Sequence, residues 1–255
     1  MPSYADDRHF AQLIKQANAT TIQGWHFSFL KGRRRSTPLP WNYEQLAAGH
    51  VESATRVLDV DTGGGEILAR LTPPSGSIAV EDWSTNIPIA AACLEPMGVS
   101  VRQRVGGELP VGDISVDVVL NRHGDLDLEE TARVLRPGGV LVSQQVAMEN
   151  ESEIGEAFGV QPTMFPNAIR DRADLALRVK AAGLIADLSA EAVIVSRYLD
   201  IGALVLQLRA VPLQVPGFST DAYLNVLWRI HRRIEDAGSF DVHSKRLLLL
   251  AHRAN

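Results

Sequence analysis

The side chains best suited to chemistry gather at three points. Asp59-Val60-Asp61-Thr62-Gly63-Gly64-Gly65 ends an apolar, β-branched run in two carboxylates and then three consecutive glycines. A backbone without Cβ atoms lets a ligand approach closely. The helical pattern that opens at Glu66 adds free N–H groups and a partial positive charge. Strand, glycine turn and helix in this order make a nucleotide-cofactor site. Glu81 stands 22 residues after Asp59, at the end of another apolar run. A carboxylate there offers acceptor lone pairs to hydroxyl or N–H donors. Asn121-Arg122-His123 ends a third apolar run. A histidine there is either a general base for an oxygen or nitrogen acceptor or a structural residue.

The elements that must position these residues alternate from Arg56 onward. Strands are expected over 56–61, 77–81, 99–105, 116–121 and 140–146. Helices are expected over 66–71, 87–97 and 127–135, the last closed by Arg136-Pro137-Gly138-Gly139. Continuous apolar strands between helices argue for a parallel sheet covered on both faces, and right-handed crossovers make it doubly wound. Beyond Ala147 the pattern predicts a helix over 171–182, a strand over 190–198 and a helix over 200–210. An amphipathic helix over 220–237 and a short strand over 247–251 complete it. Residues 1–50 show no clear strand. They read as a helical extension with an aromatic cluster (Trp25, Phe27, Phe29), a basic loop Lys31–Arg35, and Pro38, Pro40 and Trp41 breaking any helix.

The 255 residues suffice for one large α/β domain or two small ones, and 45% hydrophobic content is enough to bury a core. A net charge of −5 gives no overall attraction to nucleic acid or an anionic membrane. No apolar run reaches membrane-spanning length, and Met1–Asp7 does not read as a signal peptide. Cys93 alone excludes an intramolecular disulfide and a cysteine-cluster metal site, so a cytoplasmic setting is expected.

In ordered succession these motifs resemble the class I S-adenosylmethionine-dependent methyltransferases over roughly residues 50–255, most strongly over 56–146. Asp59–Gly65 resembles that family's acidic-x-Gly-x-Gly-x-Gly, except that Asp61 replaces the first glycine. Aspartate tolerates the unusual backbone angles needed there. Val105-Gly106-Gly107-Glu108-Leu109-Pro110-Val111 keeps a Leu-Pro pair but lacks the family's acidic–alanine pair. Leu135–Leu141 resembles the family's turn before the fifth strand. A nicotinamide fingerprint would need Gly-x-Gly-x-x-Gly, and its third glycine is missing after Gly63.

The resemblance implies a seven-stranded, mostly parallel sheet whose last strand is antiparallel and inserted near the edge. It implies a helical N-terminal extension or lid over 1–50 and a methyltransferase domain over 51–255 with a helical insertion near 212–240. S-adenosylmethionine would bind, leaving S-adenosylhomocysteine, through Asp59, Asp61, Thr62, Gly63, Gly65, Glu81, Asp82, Trp83, Asn86, Gly106, Asn121 and Arg122, with His123 as the catalytic candidate. Asp59 or Asp61 would face the methionine part or cap the next helix. Trp83 would pack on the cofactor or fill a sheet edge. The partner is a small-molecule methyl acceptor, with a homodimer left open. Rival readings are an RNA methyltransferase using Lys31–Arg35 and a non-catalytic cofactor-binding scaffold. His123, Asp125, Asp127 and Glu129 read as a polar loop and an acid-rich helix start, so no metal site is expected.

Overall fold

The computed structural model describes residues 7–22 and 27–255, so Trp25 and His26 of the aromatic cluster lie outside it. The chain divides into two compact units. The larger comprises Leu39–Met148, Phe165–Ala192 and Arg246–Asn255, and the smaller Met1–Pro38, Glu149–Met164 and Val193–Lys245. The strands are β1 (Arg34–Ser36), β2 (Val57–Val60), β3 (Ile78–Glu81), β4 (Ser100–Gln103), β5 (Val116–Arg122), β6 (Leu135–Val146), β7 (Leu184–Tyr198) and β8 (Phe240–Arg253). Their hydrogen-bonded order is β1-β7-β8-β6-β5-β2-β3-β4.

Within the larger unit β2 pairs in parallel with β3 on one side and β5 on the other; β3–β4 and β5–β6 are also parallel. The last strand, β8, runs antiparallel to β6, from Val146 opposite Arg246 to Val140 opposite His252. Every residue of β2 is buried, which is why its sequence does not alternate. Successive side chains still point to opposite faces. Leu58, Val60, Val119 and Leu141 join one core, and Val57, Val118, Leu120 and Val142 the other. Helices α2 (Tyr43–Ser53), α3 (Glu66–Arg70), α4 (Ile87–Leu94), α5 (Leu128–Val134) and α7 (Arg172–Ala181) belong to this unit.

Three differences from the sequence reading have local causes. The sheet has eight strands, because residues 34–36, read as part of a loop, pair antiparallel with Tyr198–Ser196. Nothing in Arg-Arg-Ser signals a strand; the partner strand and the ion pairs of its arginines hold it. Strand β6 begins at Leu135, so the Arg136–Gly139 turn is a bulge between Leu135, paired with Val116, and Val140, paired with Val118. Helix α3 has only five residues, too short for the strong helix-terminal dipole expected there.

The smaller unit packs α1 (Arg8–Ala19), α6 (Ser152–Phe158), α8 (Ile201–Ala210) and α9 (Leu224–Ala237) around a core that includes Phe10, Phe158, Tyr198 and Leu227. Residues 201–208 of α8 are all buried. The basic run is absorbed here: Arg33 pairs with Asp200, and Arg34 reaches the buried Glu151 at 3.1 Å and Ser196 at 2.9 Å. Among the described residues no helix is long and apolar enough to cross a membrane.

Gly65 shows how closely the larger unit packs. It sits before α3 at φ 84°, and a Cβ there would fall 2.7 Å from Leu94 Cγ. Gly65→Ala is expected to cost at least the ~1–2 kcal/mol of a left-handed alanine, measurable as a lowered urea midpoint.

Candidate functional site

Parallel strands deliver the candidate residues to one edge. Strand β2 lies between β3 and β5, whose connections diverge, and the carboxyl ends of strands at such a switch point form a crevice suited to ligands. Asp59 and the 61–65 loop follow from β2, Glu81–Asn86 from β3, Arg104–Gly106 from β4, and Asn121–His123 from β5. All belong to the larger unit.

Glu81 is 2% exposed, and its carboxylate faces backbone. Oε2 accepts from Gly63 N–H at 2.7 Å; Oε1 accepts from Trp83 N–H at 2.9 Å and Asp82 N–H at 3.1 Å. One carboxylate thus ties the glycine loop to the segment after β3. About four acceptor positions are available to a carboxylate, so one remains for an outside hydroxyl. Two other loop donors are also used internally: Thr62 N–H by Val80 C=O and Gly65 N–H by Thr62 C=O, both at 3.1 Å.

Asp61 takes a left-handed backbone, φ 57°, as the glycine replaced at that point would. Its Oδ2 accepts from Asp125 N–H at 2.7 Å, while Oδ1 is buried without a hydrogen bond. Gly124 makes room for it, since a Cβ there would lie 2.3 Å from Oδ2. Asp59 is 8% exposed and accepts from the Thr62 hydroxyl at 2.6 Å. Burial pushes the Asp59 and Asp61 carboxyls up to about 7; the neighbouring Glu81 charge adds to both, and Asp82 to Asp61. Burial also raises Glu81, against the pull of its three N–H donors. The edge is therefore a set of closely spaced acids.

Asp82 and Trp83 are exposed, and Asn86 is buried with its Nδ2 making no hydrogen bond. Gly106 is exposed at φ 82°. Asn121, 1% exposed, donates to Val60 C=O at 3.3 Å and accepts from Gln145, which also donates to Ser143 Oγ at 2.8 Å. Arg122 is exposed.

His123, at φ 64°, has a tautomer that can be derived. Trp41 Nε1–H, a donor only, gives its proton to Gln144 Oε1 at 2.8 Å. The Gln144 amide nitrogen must then face His123 Nε2, 2.8 Å away, and donate to it. Nε2 is the bare acceptor, so Nδ1 carries the hydrogen. Burial, with the charges of Arg122 and Arg246, holds the imidazole well below its ordinary pKa, so it stays neutral. Sequence reasoning missed Trp41, Gln144, Gly124 and Asp125 as partners. The one visible signal was Gln144-Gln145, two amides inside an otherwise apolar strand.

The structure thus brings Asp59, Asp61, Thr62, Gly63 and Glu81 to one sheet edge in separate bonded pairs, Asp59 with Thr62, Glu81 with Gly63 and Asp61 with Asp125, and places Asn121 and His123 at the neighbouring strand end. Asp82 and Trp83 join Glu81 through their backbones alone in the bonds above.

An acid whose folded pKa exceeds its unfolded value binds more protons when folded, so it lowers stability as pH rises from about 4 through about 7. Asp61→Asn keeps an acceptor for Asp125 N–H and tolerates the left-handed backbone. It is expected to raise stability at pH 8 by about 1 kcal/mol or more and by much less near pH 4, where protonation of the carboxyl in the two states converges, as read by thermal melts at both pH values.

No protein-family profile and no curated protein sequence matches the chain. Solved structures do. The YcgJ protein of Bacillus subtilis aligns with a TM-score of 0.58 at 16% identity, over 84% of this chain and 98% of that one. A putative methyltransferase from Bacillus halodurans aligns at 0.55 and 15% identity, over 98% and 100%. Geranyl diphosphate methyltransferase, solved in complex with SAM, aligns at 0.50 and 14%, over 83% and 84%. The chain has the class I methyltransferase fold.

Proposed function

We propose that this protein is an S-adenosylmethionine-dependent methyltransferase that acts on an oxygen or nitrogen atom of a small-molecule acceptor. The observation that carries this reading is the charge of the glycine loop. Asp59, Asp61 and Glu81 crowd it, and its Gly63 N–H is already given to Glu81. A dinucleotide would bring a pyrophosphate dianion to these carboxylates, where like charges repel. S-adenosylmethionine brings an ammonium, a sulfonium and a ribose diol, and no phosphate.

The residues present fit that ligand. The unpaired, buried Asp61 Oδ1 is an acceptor suited to the ammonium. Glu81 has its remaining lone pair for a ribose hydroxyl. The Asn86 amide, buried with its nitrogen unbonded, is a donor at the same edge. Asp82, Trp83 and Gly106 would frame the adenine, and Asn121 and Arg122 the methionine end. When bound, the cofactor supplies a methyl group already activated on a sulfonium. The chain's part is to orient the acceptor and exclude water. His123 would present Nδ1–H to the acceptor atom and aim its lone pair; a neutral imidazole whose Nε2 is held by Gln144 is poorly placed to remove a proton.

A small molecule is favoured as acceptor because two of the four basic residues of the candidate RNA-binding run are spent internally: Arg33 on Asp200 and Arg34 on Glu151. The geranyl diphosphate enzyme shows that this fold accommodates a small acceptor.

Calorimetric titration tests the cofactor. S-adenosylmethionine should bind, more tightly at about pH 8 than at about pH 6, because only ionised Asp59 and Asp61 attract a cation. S-adenosylhomocysteine, without the sulfonium charge, should gain less from the same pH change. Binding of NAD with none of S-adenosylmethionine would overturn the reading, and binding of neither would leave a scaffold.

Trp41→Phe tests His123. Without the indole donor the Gln144 amide can turn over, and the imidazole proton can move to Nε2. Turnover should fall while cofactor affinity holds, with a changed tautomer in the imidazole nitrogen NMR shifts. Full turnover with that changed tautomer would reduce His123 to a structural residue.

A further inference from the structure

Far from the glycine loop, in the smaller unit, α1 and α9 bring four ligand-type side chains together. His231 and Glu235 are four residues apart on α9 and so share a helix face. Asp7 caps α1, and His9 lies in its first turn. His231 is 1% exposed, and its Nε2 is buried without a hydrogen bond. That nitrogen nevertheless points at carboxylates: Asp7 Oδ2 and Glu235 Oε1 each lie 3.4 Å away. His9 Nδ1 is 3.7 Å from the same Glu235 oxygen. One ligand atom from each of His9, His231 and Glu235 lies within 4.8 Å of the others.

We propose that His9, His231 and Glu235 bind a zinc ion, with Asp7 beside the fourth position. The spacing is the first argument. A tetrahedral zinc with bonds of about 2.0–2.2 Å sets its ligand atoms about 3.3–3.6 Å apart. The 3.4 and 3.7 Å separations are long for hydrogen bonds and close to that edge length. The second argument is the orphaned nitrogen. The buried His231 Nε2 makes no hydrogen bond to the carboxylates beside it, and a cation held by His231, Glu235 and His9 would give that nitrogen a bond. The third is preorganisation. Asp7 Oδ1 accepts from Phe10 N–H at 3.0 Å, which fixes the carboxylate and leaves Oδ2 available. The His231 ring rests against Phe10, centroids 5.4 Å apart, and meets His9 edge-on at 5.5 Å. Imidazole with carboxylate favours zinc over magnesium or calcium, which take oxygen ligands. Such an ion would cross-link residues 7–9 to residues 231–235, so its binding free energy would become folding free energy.

The experiment uses the full chain, stripped with a chelator and titrated with zinc chloride by calorimetry and with cobalt chloride by visible absorption. The expected results are one ion per chain, the intense visible band of tetrahedral cobalt, and a melting temperature that climbs with zinc concentration. Magnesium chloride should do none of this. His9→Gln removes a ligand whose side chain is 63% exposed, so folding should survive. His9→Gln and Glu235→Gln should each weaken zinc binding and lose the tetrahedral band. A wild-type chain that takes up no zinc overturns the proposal and leaves His231 as a side chain packed between two carboxylates. Equal zinc binding by both folded variants overturns it as well, placing the ion elsewhere.

Discussion

A carboxylate buried at the end of a central strand is costly unless donors surround it. Glu81 meets that cost with three backbone N–H groups drawn from two different loops. Much of the edge follows from this one interaction. The glycine loop is held against β3 through Gly63, and the Asp82–Trp83 segment is held at its start. A Cβ at Gly64 would fall 2.5 Å from the Glu66 carboxylate, and at Gly65 a Cβ would collide with Leu94. Through the Gly63 N–H the turn is tied to a carboxylate eighteen residues away in sequence.

Glu81 takes the Gly63 N–H, and Thr62 and Gly65 give theirs to backbone carbonyls, so three donors of the loop are turned inward. Asp61 keeps the left-handed backbone of the glycine it replaces and adds a buried, half-satisfied carboxylate, which Gly124 accommodates. Burial pushes the Asp59 and Asp61 carboxyls up to about 7, so the charge of this edge changes near neutral pH. Holding such acids in the interior costs stability as pH rises.

The smaller unit uses its charges differently. Glu151, 4% exposed, accepts from Arg34, Gln214 and Ser244. Arg34 also lies over the Tyr198 ring, 5.3 Å from its centroid. Two arginines of a basic run that looks like a phosphate-binding loop in the sequence, Arg33 and Arg34, are instead paired with acids inside a folded unit. Charge runs read one-dimensionally miss this, because their partners come from residues more than a hundred positions away.

The sequence by itself determined most of the sheet. Buried parallel strands must be largely apolar on both faces, so β2, β3, β5 and β6 were legible as mostly apolar runs, and the polar residues at or near their ends became the candidates. That logic put Asp59, Asp61, Glu81, Asn121 and His123 at strand ends, where the structure also has them. It also allowed Asp61 its unusual backbone, because short polar side chains tolerate it. What only the tertiary structure decided was which groups those residues face. The three N–H donors on Glu81, the Trp41–Gln144 chain that fixes the His123 tautomer, and the pairing that makes Arg34–Ser36 a strand all join segments far apart in the chain. Local propensity and periodicity carry information about neighbours within a turn or a strand. Hydrogen-bond satisfaction and desolvation depend on whatever folding brings within about 3 Å, and no local pattern records that.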